Sequence, residues 1–306
     1  MNILFAGTPN SSAEILRHLI KSDSINVKGV LTQPNKTGKR GRKLNESPVS
    51  LLANSYNLEL FKPEKLNAED FKEKIKKLKI DFLIVVAYGK ILPNWLLRKP
   101  EVSSINIHFS LLPKYRGASP IQSALLNGDE ETGITFIEMS EKLDSGNIIS
   151  IEKTKIFQDD NKPKLENRLT QLAIKKINMV LEDLRNKNVV SIKQDDLSAS
   201  YCQKILKDYS VTDFNETALN IINKFKAFFE WPGLSFCHKD TIIKIHGLEL
   251  LEQHKTGMAG TINNFDSTGL YINTIDYVIV ITYLQFPNRG VISSKDAFNS
   301  YKDFFS

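Results

Sequence analysis

A chain of 306 residues, 41% hydrophobic and 25% charged, has ordinary globular composition and is long enough for two cores; nothing in it resembles a disordered or fibrous protein. No apolar run reaches the roughly 18 residues of a membrane-spanning helix, so no membrane partner is expected. The net charge of +6 is uneven: residues 1–203 hold 31 Lys+Arg against 24 Asp+Glu, and residues 204–306 hold 10 against 11. A mild positive excess attracts polyanions without naming one.

Cys202 and Cys237 lie far apart, with no His or Cys at metal-ligand spacing. Reduced thiols are expected, with neither a disulfide nor a metal site. The opening "MNILFAGTP" runs straight into a strand pattern without the layout of a secretory or transit leader, so a cytoplasmic protein is expected.

In chain order, "NILFA" (2–6) predicts a short apolar strand, followed by a Gly-Thr-Pro turn and a helix from about Asn10 to Lys21. "INVKGVLTQ" (25–33) reads as a strand. "SPVSLLANSY" (47–56) reads as a helix with Pro48 in its first turn, and "LELF" (58–61) as a strand. A charged amphipathic helix covers 67–79 and a buried-type strand 81–89, followed by the strand "SSINIHFS" (103–110). A helix over 119–128, a strand over 132–139 and a long helix from about Pro163 to Asn186 complete this half. Strands separated by helices of this length predict an α/β, doubly wound, mostly parallel sheet, with ligands beyond the carboxyl ends of its strands.

The pattern loosens over 189–205, which reads as a linker. Beyond it come a helix around 215–229, "WPG", and short strands over 241–250, 257–265, 269–274 and 277–286. Short strands at such close spacing predict a smaller β-barrel domain. The expected division is therefore 1–188, a linker over 189–205, and 206–306.

Side chains alternate along a strand, so Asn106, His108 and Ser110 share one face. An amide donor beside an imidazole suits an oxyanion formed by attack on a carbonyl; the plainer reading is a pair of hydrogen-bonded core residues. Asp144, in the loop "EKLDSGNI" (141–148), falls at the same sheet edge. It would either fix the tautomer of His108 and accept a proton, or only cap its own turn. The stretch 35–43 carries Lys36, Lys39, Arg40, Arg42 and Lys43 with no acidic residue before Glu46, in a connection longer than most. It reads as a phosphate-meeting loop, against the alternative of a solvated one. "EKIKKLK" (73–79), by contrast, reads as the solvated face of its helix. "FAGTP" has one glycine where a dinucleotide-binding turn needs three, so a nicotinamide enzyme is a poor fit.

The segments "FAGTP" (5–9), "TQPNKTGKRGRKL" (32–44), "VVAYGKILP" (85–93), "INIHFSLLPKYRGASPIQSALLNGDEETGIT" (105–135) and "EKLDSGNI" (141–148) together resemble the methionyl-tRNA formyltransferases. The later "WPG" (231–233) and "LQFPNRGVISSKDAF" (284–298) are similar to that family's C-terminal domain. The resemblance implies a Rossmann-like formyltransferase domain with a basic insertion over 33–47, and an oligonucleotide-binding-type (OB-like) barrel after it. It implies formyl transfer from 10-formyltetrahydrofolate to the α-amino group of methionine on initiator tRNA, by a monomer and without a metal. Asn106, His108 and Asp144 match the catalytic trio. Ser110, Leu111, Leu112 and Pro113 match the segment bordering the folate, and Lys36, Lys39, Arg40, Arg42 and Lys43 match the loop that enters the acceptor-stem end. The chain departs from the family at Asn10 and Ser11, where an acidic residue and Phe are usual. Two alternatives share the motifs: a formyltransferase acting on a small amine such as an amino-sugar nucleotide, and a non-catalytic RNA-binding protein on the same scaffold.

Overall fold

The computed structural model describes residues 1–37 and 44–306. Its chain divides into two compact units, residues 1–120, 131–155 and 166–202 in the first and 121–130, 156–165 and 203–306 in the second.

The first unit opens with β1 (Asn2–Gly7), α1 (Asn10–Ile20), β2 (Asn26–Leu31), the short β3 (Lys36–Thr37) and β4 (Leu44–Asn45), and α2 (Pro48–Ser55). It continues through β5 (Leu60–Phe61), α3 (Glu69–Lys77), β6 (Phe82–Val86), α4 (Asn94–Leu97), β7 (Ser103–His108) and β8 (Arg116–Gly117). After α5 (Pro120–Leu126), which from Ile121 on belongs to the second unit, come β9 (Glu131–Glu138), β10 (Ile148–Lys155), α6 (Lys162–Arg185), which belongs to the first unit from Glu166 on, and β11 (Tyr201–Cys202), which pairs in parallel with β8. Seven strands form one sheet in the order β10-β9-β7-β6-β1-β2-β5. The ladders from β5 to β7 are parallel, and β9 runs antiparallel to both β7 and β10. Strand order reverses between β1 and β6, which makes the carboxyl edge there and at β7 the natural ligand crevice.

Local chemistry explains the elements. β6 is buried along its whole length, as its unbroken FLIVV run requires of a central parallel strand. Ser47 caps α2 by accepting from the Ser50 N–H at 3.0 Å, and Pro48 presets the first turn. α3 carries Glu69 and Asp70 in its first turn and Lys74, Lys76 and Lys77 in its last, which favours its dipole. It buries Phe71 and Ile75 against Leu4, Leu31, Leu83 and Phe61, worth about 1.5–3 kcal/mol for each side chain. Lys74, Lys76 and Lys77 face solvent, as the amphipathic pattern predicts. β10, whose half-exposed IISIEKTK has no clean apolar pattern, is a charged edge strand that the expected elements did not include.

In the second unit α7 (Ala218–Ala227) precedes β12 (Leu234–His238), β13 (Thr241–His254), β14 (Ile262–Phe265), β15 (Leu270–Asn273), β16 (Tyr277–Gln285), β17 (Ile292–Ser293) and α8 (Ser294–Phe305). The strands of the expected smaller β domain form an antiparallel sheet in the order β12-β13-β16-β15-β14, with β17 on β16. Among the described residues no ladder joins β12 to β14. Three register shifts bend β13 against β16, two of them on either side of Gly247. The core includes Phe236, Ile243, Ile279 and Ile281, with Ala218 and Ile221 of α7 and Ala297 and Phe305 of α8.

Candidate active site

β7 ends at the carboxyl edge of the sheet, and its last residues carry the polar face read from the sequence. Asn106 is 9% exposed and His108 6%. Asn106 is held in register by Val85 of β6 and Ile137 of β9, and His108 by Thr135 of β9. Asp144 comes to them from the loop after β9. Asn106 Nδ2 donates to Asp144 Oδ1 at 3.2 Å, and Asp144 Oδ2 lies 3.6 Å from His108 Nδ1. That carboxylate oxygen also accepts the Gly117 N–H at 2.9 Å. Asp144 therefore gives its carboxylate to the strand and to β8 rather than capping its own turn.

The acceptor around His108 decides its tautomer. His108 Nε2 stands 2.8 Å from the carbonyl oxygen of Tyr115. A carbonyl only accepts, so Nε2 carries a hydrogen and Nδ1 is the nitrogen that faces Asp144. Asn106 Nδ2 has two hydrogens. One goes to Asp144, and the other has no partner among the described residues.

The segment after β7 is a closed turn. Ser110 is fully buried, and its hydroxyl donates to the Lys114 carbonyl at 2.6 Å. Thr135 Oγ1 donates to the Ser110 carbonyl at 2.7 Å and accepts from the Leu112 N–H at 3.1 Å. Ser110 and Leu112 thus point into the protein, and β7 stops before the polar face reaches Ser110. Leu111 and Pro113 remain half-buried.

Arg116 looks like part of a basic loop tip in the sequence, yet it is 2% exposed. Its Nε and Nη2 donate to Gln194 Oε1 at 3.0 and 2.8 Å, and its Nη1 meets Asp196 at 2.8 Å. Burial alone would push its guanidinium down, but hydrogen bonds to Asp196 and the Tyr201 hydroxyl hold it above the ordinary value. Gly117, with φ 126°, passes so close to the Cys202 carbonyl that a Cβ there would collide with it. Tyr115, Arg116, Gly117 and Gln194 all escaped the sequence reading, because three act through backbone groups or burial and the fourth lies in the supposed linker. That stretch belongs to the first unit as far as Cys202.

At the ends of β1, β2 and β6, Thr8 Oγ1 and Gln33 Nε2 both donate to the Tyr88 carbonyl at 2.9 Å. Lys39, Arg40, Arg42 and Lys43 lie outside the described residues. Lys36 lies in β3, which pairs antiparallel with β4. At the residues flanking this strand pair, Lys62 Nζ donates to Asn35 Oδ1 at 2.9 Å and to Glu46 Oε1 at 3.2 Å. The hydrogen bond from Lys62 leads the effects that hold the Glu46 carboxyl below its ordinary value.

An Asn, a His and an Asp gathered at the carboxyl edge of a mostly parallel sheet form an arrangement suited to acyl-type transfer to a nucleophile. Residues 1–181 match the formyl transferase domain, and residues 204–302 match the formyl transferase C-terminal domain. This chain belongs to the formyl transferase family. It is 39% identical over 306 residues to the methionyl-tRNA formyltransferase of Caldicellulosiruptor saccharolyticus, covering 99% of this chain and 97% of that protein. The same fold occurs in an N-formyltransferase from Helicobacter canadensis, crystallised with folinic acid and dTDP-3-aminofucose. That likeness has a TM-score of 0.67 at 22% identity and covers 93% of this chain and 99% of the other. HypX from Aquifex aeolicus, in complex with tetrahydrofolic acid, gives a TM-score of 0.63 at 14% identity, covering 100% of this chain and 47% of that one.

Proposed function

We propose that this formyltransferase moves the formyl group of 10-formyltetrahydrofolate to the α-amino group of methionine on initiator tRNA. The observation that carries the reading is the 39% identity, over nearly the whole of both chains, to the Caldicellulosiruptor enzyme of that name. The five cations of 36–43 support it, since a small acceptor gives no reason for them. In this reading Lys36, Lys39, Arg40, Arg42 and Lys43 meet the phosphates at the end of the acceptor stem. Leu111 and Pro113, with Ser110 and Leu112 holding the turn beneath them, border the folate.

The donor supplies a formyl carbon bonded to nitrogen. The amine nitrogen bonds to that carbon, the bond from carbon to the donor nitrogen breaks, one proton leaves the amine, and one reaches the departing nitrogen. Asn106 presents its second amide hydrogen to the developing oxyanion. Asp144 receives the amine proton, and His108 Nδ1, 3.6 Å away, carries a proton towards the leaving nitrogen. While protonated, His108 also stabilises the oxyanion. The Tyr115 carbonyl keeps the other ring nitrogen occupied, so the ring neither flips nor changes tautomer during the cycle.

The test is formyl transfer from 10-formyltetrahydrofolate to methionine-charged initiator tRNA, with His108→Ala as control. Transfer by the wild type and a loss of about 10²-fold or more in the variant are expected. No transfer to charged tRNA, with efficient transfer to an amino-sugar nucleotide, would overturn the acceptor and leave the formyl chemistry in place.

A further inference from the structure

Gln194 lies in a stretch with little regular structure, yet it is 5% exposed and every polar hydrogen and acceptor of its amide is engaged. Its Oε1 accepts two bonds from Arg116. Its Nε2 donates to the carbonyl of Asp144 at 2.8 Å and to that of Gly146 at 2.7 Å. The amide cannot be turned over: a guanidinium only donates and a carbonyl only accepts, so each end of the side chain has one possible identity. Gln194 thus holds both ends of the turn that presents Asp144.

That turn needs holding. Asp144 has φ 48°, a left-handed conformation that side-chain-bearing residues keep only where the surroundings impose it. Gly146 runs so close to the Glu138 carbonyl that a Cβ there would collide with it. The Asp144 carboxylate is shared among Asn106, His108 and the Gly117 N–H, three groups spread over β7 and β8. A shift of the turn by a fraction of an ångström would therefore change which of them it serves.

We infer that Gln194, locked by the buried Arg116, is the positioning residue that aims the Asp144 carboxylate at His108 and the reacting amine. The inference rests on the reading of Asp144 as the proton acceptor. The competing view is that Gln194 only satisfies a buried arginine. Gln194→Glu separates the two, because a carboxylate keeps both bonds from Arg116 and strengthens them, while it sets an oxygen against the carbonyls of Asp144 and Gly146. A purely structural role predicts full activity in this variant.

The expected result is a fall in kcat of about 10–10²-fold, the usual consequence of a misplacement near 1 Å, with KM for both substrates within about 3-fold of wild type. In the double variant with Asp144→Asn, Gln194→Glu should add less than about 2-fold to the loss, since both changes act on one group. Hydrogen exchange gives a reading free of substrate. The Gly117 amide, which donates to Asp144, should exchange about 10-fold faster in Gln194→Glu while the β7 amides stay protected. Gln194→Met carries the same expectation should the Glu variant not fold. Asp144→Asn with wild-type kcat would overturn the reading of Asp144. A crippled Asp144→Asn beside a fully active Gln194→Glu would overturn the positioning role, and so would unchanged exchange at Gly117, whichever amine proves to be the acceptor.

Discussion

Replacing Asn106 by Ala tests whether its second amide hydrogen reaches the oxyanion or whether the side chain merely steadies Asp144. The structure separates the two by magnitude. Asp144 is tied by Asn106 at 3.2 Å and by the Gly117 N–H at 2.9 Å, with His108 3.6 Å away and Gln194 on its main chain at 2.8 Å. Losing only the Asn106 tie leaves the carboxylate beside the Gly117 N–H and His108, with the main chain still held by Gln194, and should cost a hydrogen bond to a charged group, about 1.5–3 kcal/mol of stability, with kcat down less than about 10-fold. Losing an oxyanion donor costs about 10²–10³ in kcat, or roughly 2.7–4 kcal/mol of transition-state stabilisation. Single-turnover formyl transfer at saturating donor measures the chemical step, and a urea melt of the same protein measures the first cost. The expected pair is a fall of at least about 10² in the single-turnover rate with an unchanged KM for the tRNA. A rate within about 10-fold of wild type, with the stability loss present, would refute the oxyanion role and leave Asn106 a support for Asp144.

Two further outcomes test the packing within each unit. The Tyr88 hydroxyl is buried with no hydrogen-bond partner among the described residues, and burial pushes its phenol up to about 12. Tyr88→Phe should leave thermal stability unchanged or raise it by about 1 kcal/mol, and a loss larger than that would mean the hydroxyl has a partner in solution. In the second unit, burial alone would push the Asp276 carboxyl up, but the N–H groups of Ala218 and Tyr277 and the Thr274 hydroxyl bring it below its ordinary value. A carboxyl lowered by folding contributes stability above its unfolded value of about 3.9 and loses it as pH falls through the folded value. The wild type should therefore exceed Asp276→Ala in urea midpoint at pH 7, and the gap should close progressively below about pH 4; a gap that persists at pH 2 would contradict the assignment.

The legible parts of this protein are those whose signal is local. Period and punctuation located the principal parallel strands, since an apolar run such as 82–86 admits few other uses. Asn106 and His108 share a face by strand geometry alone, and their place at a strand's end followed from the alternation of elements. α8 was missed although Ser293 and Asp296 carry a reciprocal cap, Ser293 Oγ accepting from the Asp296 N–H at 3.2 Å and donating to its carboxylate at 2.7 Å. That signal is short and follows directly on a run of strands, so periodicity alone does not set it apart. β10 was missed because a half-exposed edge strand has neither a clean apolar run nor a clean alternation.

The choice between catalytic and bland readings lay beyond any local signal. "EKLDSG" is as good a self-capping turn as a source of a carboxylate, and only the approach of β7, β8 and the turn in space gave Asp144 to Asn106, His108 and Gly117. Arg116 reads as a solvent-seeking cation in sequence; in the structure it is buried because Gln194 and Asp196, about eighty residues on, satisfy its guanidinium. The tautomer of His108 was equally out of reach, being decided by a backbone carbonyl that belongs to no motif. By itself the sequence determined the family, the alternation of strands and helices, and which residue types could do the chemistry, because these depend on periodicity and on residues near in the chain. Which of those residues meet, with which hydrogen on which atom, was left to the tertiary structure, because hydrogen bonds depend on distances in space that residue order does not contain.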